Sequence, residues 1–255
     1  LHKGTPHYFA SVAALLSNNF DAAFMSMHLA LEEDKQNNPN YKSSPAYYLL
    51  SLDESKSDSY LQPYIQGVSE FLTKRLDSDT ESYSNKRNGN LPYQNFRSKF
   101  FDNQNIQEEL KFFFVYSLMR LWHLRVLHKN KIGDNLIAPV IFAQALGGLL
   151  IGIEDLLKAT YKDQKSLGSV LPKFFKDQKW GDPKISELNQ QKETDFDKWV
   201  DDSLAENSMV GDFKLVYGLR NHAFHTIKSQ QKLWNNYTQV LQSTLNVLFK
   251  SIEIL

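Results

Sequence analysis

The chain has 255 residues, 42% of them hydrophobic, enough to fill a core without covalent staples. It contains no cysteine, which excludes a disulfide framework and a thiolate metal site. With 29 basic and 29 acidic side chains the formal charge is zero, which excludes a globally basic nucleic-acid binder held by phosphate neutralisation alone. Any nucleic acid must meet a local patch.

From Pro6 to Glu33 the spacing of apolar residues predicts a helical hairpin with its turn at Asn18 and Asn19. Its pattern is that of one tetratricopeptide unit, but no second copy follows at a fixed period, so no repeat array is expected. Gln36 to Ser59 is rich in Asn, Ser, Pro and Asp and reads as a connector with a short apolar piece at Tyr47 to Leu52. A further helix is expected from Leu61 to Leu76, with Pro63 in its first turn. The polar run Asp77 to Leu91 then reads as a border between an N-terminal helical subdomain with its connector, 1–91, and a second region, 92–255.

Beyond the border, two long helices are predicted at Ile106 to His128 and Asn135 to Tyr161, joined by a short turn and therefore antiparallel. The second contains Leu136 to Ile153, an uncharged run at the lower length limit for a membrane span. Pro139 and Gln144 interrupt it and lysines flank both ends, so it reads as a core helix, with Gly148 and Gly152 allowing close packing. A polar insertion near 162–210 follows, with a short helix near Leu167 to Phe175, a turn at Gly181-Asp182-Pro183 and an acidic helix ending near Glu206. Between Asp182 and Glu206 it carries eight acidic and three basic residues. Two final apolar patterns run from Phe213 to about Ile227 and from Leu233 to Leu255. Strand signals are nearly absent. The expected architecture is all-α, a C-terminal four-helix bundle preceded by an N-terminal helical-hairpin subdomain. With no membrane span and no basic-then-apolar leader in the residues given, a cytoplasmic protein is expected.

The segment Leu215 to Thr226, LVYGLRNHAFHT, gathers an arginine, an asparagine and two histidines after an apolar lead-in. Arg220 followed by four residues and His225, with the polar Asn221 beside the arginine, resembles the pattern of HEPN-domain RNases. The resemblance covers roughly Ile106 to Leu255, and nothing in the first hundred residues extends it. It implies a helical bundle of HEPN type, a twofold dimer that joins two copies of the motif in one cleft, and metal-independent cleavage of RNA. In that reading His225 is the general acid/base, Arg220 clamps the phosphate, Asn221 orients it, and His222 is accessory. The setting it implies is antiviral defence or a toxin system. In toxins paired with a nucleotidyltransferase antidote a tyrosine usually stands two residues after the histidine; here that place is Ile227.

The chemistry calls for such residues. Cleaving RNA without a metal uses the ribose 2′-hydroxyl as nucleophile, which needs proton transfer and charge stabilisation at phosphorus. A histidine exchanges a proton near neutrality, and a guanidinium offers forked donors to phosphate oxygens. On a continuous helix Arg220 and His225 would point about 140° apart. A helix start or bend near Gly218, or a dimer, would restore their approach. Glu154 or Asp155 could pair with Arg220 or orient the site. Lys214, Lys228 and Lys232, with Arg220, face the single acid Asp212 between Gly211 and Lys232, which makes them candidate RNA contacts.

No metal site or cofactor is expected: His123 and His128 are five positions apart, off the helical face that a metal pair needs. The aromatic group Phe112, Phe113, Phe114, Tyr116 and Trp122 reads as core packing rather than base stacking. No Gly-rich phosphate loop or nucleophile elbow occurs. The alternative to the nuclease is a non-catalytic HEPN-like module that binds a nucleotide or a partner helix. The N-terminal region is the place for a regulatory protein partner.

Overall fold

The computed structural model describes residues 4–52, 62–131, 137–162, 165–181, 195–222 and 227–255. The protein is all-helical, and the described residues hold twelve α-helices, one 3-10 turn and no strand. The helices are α1 (Gly4–Leu16), α2 (Phe20–Asn37), α3 (Pro45–Leu50), α4 (Gln62–Arg87), α5 (Tyr93–Phe100) and α6 (Glu108–Lys129). They continue with α7 (Ala138–Tyr161), α8 (Leu167–Asp177), α9 (Phe196–Ala205), α10 (Met209–His222), α11 (Ile227–Asn235) and α12 (Tyr237–Glu253). They gather into two compact units, Leu1–Ser78 with Phe100–Arg120, and Asp79–Lys99 with Leu121–Leu255.

In the first unit α1 and α2 form a hairpin. Asn18 takes the left-handed turn conformation (φ 57°), and the Asn19 side chain accepts from Ala22 N at 3.2 Å to cap α2. The buried Tyr8 hydroxyl donates to the carboxylate of Asp34, and burial together with that bond pushes the phenol well above its ordinary range. Ser44 caps α3, with Pro45 in the first turn where its missing N–H costs nothing. Lys111 on α6 is buried, and its ammonium donates to the carbonyls of Phe101 and Asn103 at 2.7 and 2.8 Å, fixing the chain that leads into α6.

The polar run expected as a border is helical: α4 continues to Arg87. Leu72, Leu76, Asp79, Thr80 and Tyr83 recur at helical spacing and are all buried, so one face persists through the polar stretch. The two units divide within this helix, between Ser78 and Asp79.

In the second unit α7 is the central element and packs against α8, α10, α11 and α12. It is long and apolar enough to cross a membrane by length and composition, but 67% of its most apolar window is covered by the rest of the protein. Gly148 and Gly152 are both buried. The expected helix from Leu233 to Leu255 is divided at Asn236, where α11 ends and α12 begins. At this junction the Tyr237 hydroxyl donates to the carbonyl of Leu121 on α6, and Phe142 of α7 packs on the Tyr237 ring at 4.6 Å. His128 stacks on Tyr237 and meets the edge of Trp234, each at 5.0 Å, so its role here is packing. Of the expected aromatic core group, Phe112, Phe114 and Trp122 are buried, while Phe113 is exposed.

Candidate functional site

Helix α10 is buried along nearly its whole length, because Phe213, Leu215, Val216 and Leu219 all face into the unit. Phe213 packs on Phe174 of α8 at 4.6 Å. Two glycines bring α9 close to it. A Cβ at Gly211 would stand 2.6 Å from the Ser203 carbonyl oxygen, and one at Gly218 would stand 2.1 Å from Trp199 Nε1. Gly218 lies inside the continuous helix Met209–His222 and serves close packing, so no helix starts there.

Asp212 anchors the same helix from its first turn. It is 3% exposed and accepts from Arg87 Nε at 2.7 Å and from Asn246 Nδ2 at 2.8 Å. Gln242 in turn donates to Asn246 Oδ1 at 3.0 Å. The acid expected to oppose the local lysines is thus committed to a buried network joining α4, α10 and α12.

Arg220, in the last turn of α10, is the point at which the helix meets solvent. Its side chain is 45% exposed, and its Nε donates to Glu154 Oε2 of α7 at 2.9 Å. The other oxygen of Glu154 takes Lys158 Nζ at 2.6 Å. Burial alone would raise the Glu154 pKa, but the bonds from Lys158 and Arg220 outweigh it and hold the carboxyl below its ordinary range. Glu154 is therefore an anion flanked by two cations, a cluster of net charge +1. Asp155, the neighbouring acid, is exposed. Among the described residues Glu154 is the partner that Arg220 has, and it takes Nε alone. The two terminal guanidinium nitrogens bond no described residue, on a side chain that is 45% exposed, and a guanidinium's forked donors suit a phosphate.

Asn221 is half-buried beside Arg220. His222 closes α10, but its side chain lies outside the described residues, as do the whole of His225 and the side chain of Lys228. The geometry between Arg220 and His225 is accordingly not among the described contacts.

Two of the candidate lysines carry ion pairs. Lys214 pairs with Glu206 at 2.8 Å and Lys232 with Asp201 at 2.6 Å, so acids on and just after α9 neutralise both. A count along Gly211 to Lys232 could not see them, because the counter-ions come from the preceding polar segment. Exposed pairs of this kind contribute little stability and can yield to a phosphate. Lys158 was not singled out from sequence, although its position four residues after Glu154 on a helix is the signal for such a pair.

Among the described residues no group of three or more His, Asp or Glu could hold a metal ion. Chemically, the arrangement offers an anchored guanidinium suited to one phosphate. No family model, curated protein or solved structure matches the chain.

Proposed function

We propose that the chain is a metal-independent endoribonuclease of HEPN type, working as a homodimer in antiviral defence or a toxin system. The observation that carries the reading is Arg220: a half-exposed guanidinium, fixed through Nε by a nearly buried carboxylate, with its terminal donors bonding no described residue. Preorganised donors of this kind stabilise charge that develops at phosphorus without reorganising during the step. The all-helical architecture and the Arg220-Asn221-x3-His225 sequence support the same reading.

In the proposed reaction the ribose 2′-oxygen attacks the adjacent phosphorus and the 5′-oxygen of the next nucleotide leaves. His225 and its copy in the second protomer move the two protons, one off the 2′-hydroxyl and one onto the leaving oxygen. Arg220 holds the non-bridging oxygens, Asn221 orients the phosphate and His222 assists. Glu154 fixes the guanidinium, and Lys158 keeps the cluster net positive. Lys214, Lys228 and Lys232 would meet flanking phosphates, the first and last by exchanging Glu206 and Asp201 for RNA.

The test incubates the purified chain with mixed RNA in chelator beside Arg220→Ala and His225→Ala. Cleavage by the wild type that falls at least about a hundredfold in each variant supports the reading, since a positioned acid/base group alone contributes roughly 10²–10⁴-fold. The ion pair with Glu154 also suits a non-catalytic binding module. In that case RNA or a nucleotide binds, nothing is cut, and Arg220→Ala changes affinity alone. Full activity in a strictly monomeric species by sedimentation would overturn the shared cleft.

A further inference from the structure

The first unit contains a groove of about 280 Å³ between α2 and α6, closed at one side by Leu50 of α3. Four rings, Phe24, Phe112, Phe113 and Tyr116, make most of its wall together with Met25. Phe113 and Met25 are 41% and 62% exposed, so the lips are apolar and reachable from solvent. Tyr116 lies 5.9 Å from Phe24 and 6.4 Å from Phe113 by ring centroids, both tilted, so the three rings are contiguous.

The polar groups lie at the two ends. The Tyr116 hydroxyl donates to Asp21 at 3.0 Å, which puts the start of α2 beside the middle of α6. Asp21 to His28 and Glu109 to Tyr116 each cover seven helical steps, roughly 10 Å. Two carboxylates and the imidazole of His28 line the groove, and no lysine or arginine does. Arg120 pairs with Asp21 at 3.0 Å without lining the groove, and Lys35, 3.9 Å from Glu109, is shared with Glu32 and Glu108. Glu109 remains 72% exposed.

The same rings already attract cations of the protein. Arg120 sits 5.4 Å from the Tyr116 centroid and Lys35 sits 5.8 Å from that of Phe112. Phe24 and Phe113 carry no such cation among the described residues. The face of an aromatic ring carries a negative quadrupole, and a wall of rings with carboxylates at its ends favours a positive charge with an apolar body.

We infer that this groove between α2 and α6 is a binding site for an apolar organic cation, an alkyl- or arylammonium compound. The apolar body lies against Phe24, Phe112, Phe113 and Leu50, and the ammonium group meets ring faces and the Glu109 or Asp21 carboxylate. A cavity of this size takes a small ligand. The inference rests on the first unit alone and stands whether or not the chain cuts RNA.

Titration calorimetry of the full chain with octyltrimethylammonium, octanol and octanoate, each below its micellar concentration, tests it. The cation is expected to bind at least about tenfold more tightly than either same-chain comparison compound. Phe113→Leu keeps apolar bulk and removes the ring, so it should weaken the cation about three- to tenfold and leave octanol within about twofold. Glu109→Gln, at an exposed position, should weaken the cation and not octanol. Octanol or octanoate binding as tightly as the cation to the unaltered chain would overturn the inference. So would no heat of binding up to about 10 mM cation, a weaker limit than the millimolar affinities of marginal ligands.

Discussion

Replacing Gly218 by alanine tests how α10 is held in place. The added methyl would stand 2.1 Å from Trp199 Nε1, 2.6 Å from Cδ1 and 3.1 Å from Cε2. Ordinary contact begins near 3.5 Å, so the indole or α9 must retreat by more than about 1 Å. Overpacking of this kind costs about 1–3 kcal/mol, whereas alanine in a helix interior gains about 1 kcal/mol over glycine. The expected net loss is up to about 2 kcal/mol in the native background. Trp199 Nε1 is buried and bonds no described group, so Trp199→Ala removes the obstacle without breaking a described hydrogen bond at that atom. In that background Gly218→Ala should turn stabilising by about 0.5–1 kcal/mol, a coupling of roughly 2 kcal/mol between the two positions. Urea unfolding followed by far-UV circular dichroism reads both, as shifts in midpoint at constant slope. A glycine needed as a hinge would give the same loss with or without Trp199. Additive effects, or a stabilised Gly218→Ala single variant, would refute the close-packing account.

Asp212→Ala should destabilise by about 3–5 kcal/mol, because it leaves Arg87, 10% exposed, and the buried Asn246 without their shared carboxylate; equilibrium unfolding would show it, and a loss under about 1 kcal/mol would deny the network its anchoring role. Glu154→Gln should cost only about 1 kcal/mol near neutral pH, since Arg220 is 45% exposed and solvent screens part of the pair. The folded Glu154 carboxyl lies below its ordinary range, so its contribution is present above that range and is lost as pH falls through the lowered folded value. The gap between wild type and Glu154→Gln should therefore close on acidification below about pH 4, and a gap that widened there would contradict the assignment. Lys158→Met should leave the fold intact and lower both the affinity and the salt sensitivity of Arg220-dependent RNA binding, measured by anisotropy at two ionic strengths, because the cluster loses its surplus positive charge and fewer counterions are released.

Much of the helical pattern was legible in the residues. The hairpin turn at Asn18 and Asn19, the long helices now bounded as Glu108–Lys129 and Ala138–Tyr161, and the short helix after Ser166 all follow from apolar spacing and caps. The extension of α4 did not, because Asp79 and Thr80 carry its buried face where an apolar reading expects leucine or valine. The break at Asn236 was hidden because Trp234 and Tyr237 are both buried and sustain the apolar count across the junction. At the site, the pairing of Arg220 with Glu154 was among the partners open to it on residue type alone, but which of Glu154 and Asp155 turned inward depended on the face that α7 presents to α10. The neutralisation of Lys214 and Lys232 was illegible, since the two counter-ions, Glu206 and Asp201, lie in the polar segment before α10, on and just after α9.

The most direct measurement is the chemistry of the RNA ends. Mass spectrometry of a defined oligoribonucleotide after incubation in chelator should find a 2′,3′-cyclic phosphate on the upstream fragment and a free 5′-hydroxyl on the downstream one, both lost in Arg220→Ala and in His225→Ala. Uncut substrate, or cleavage that leaves a 5′-phosphate or persists in both variants, would contradict the proposed reaction.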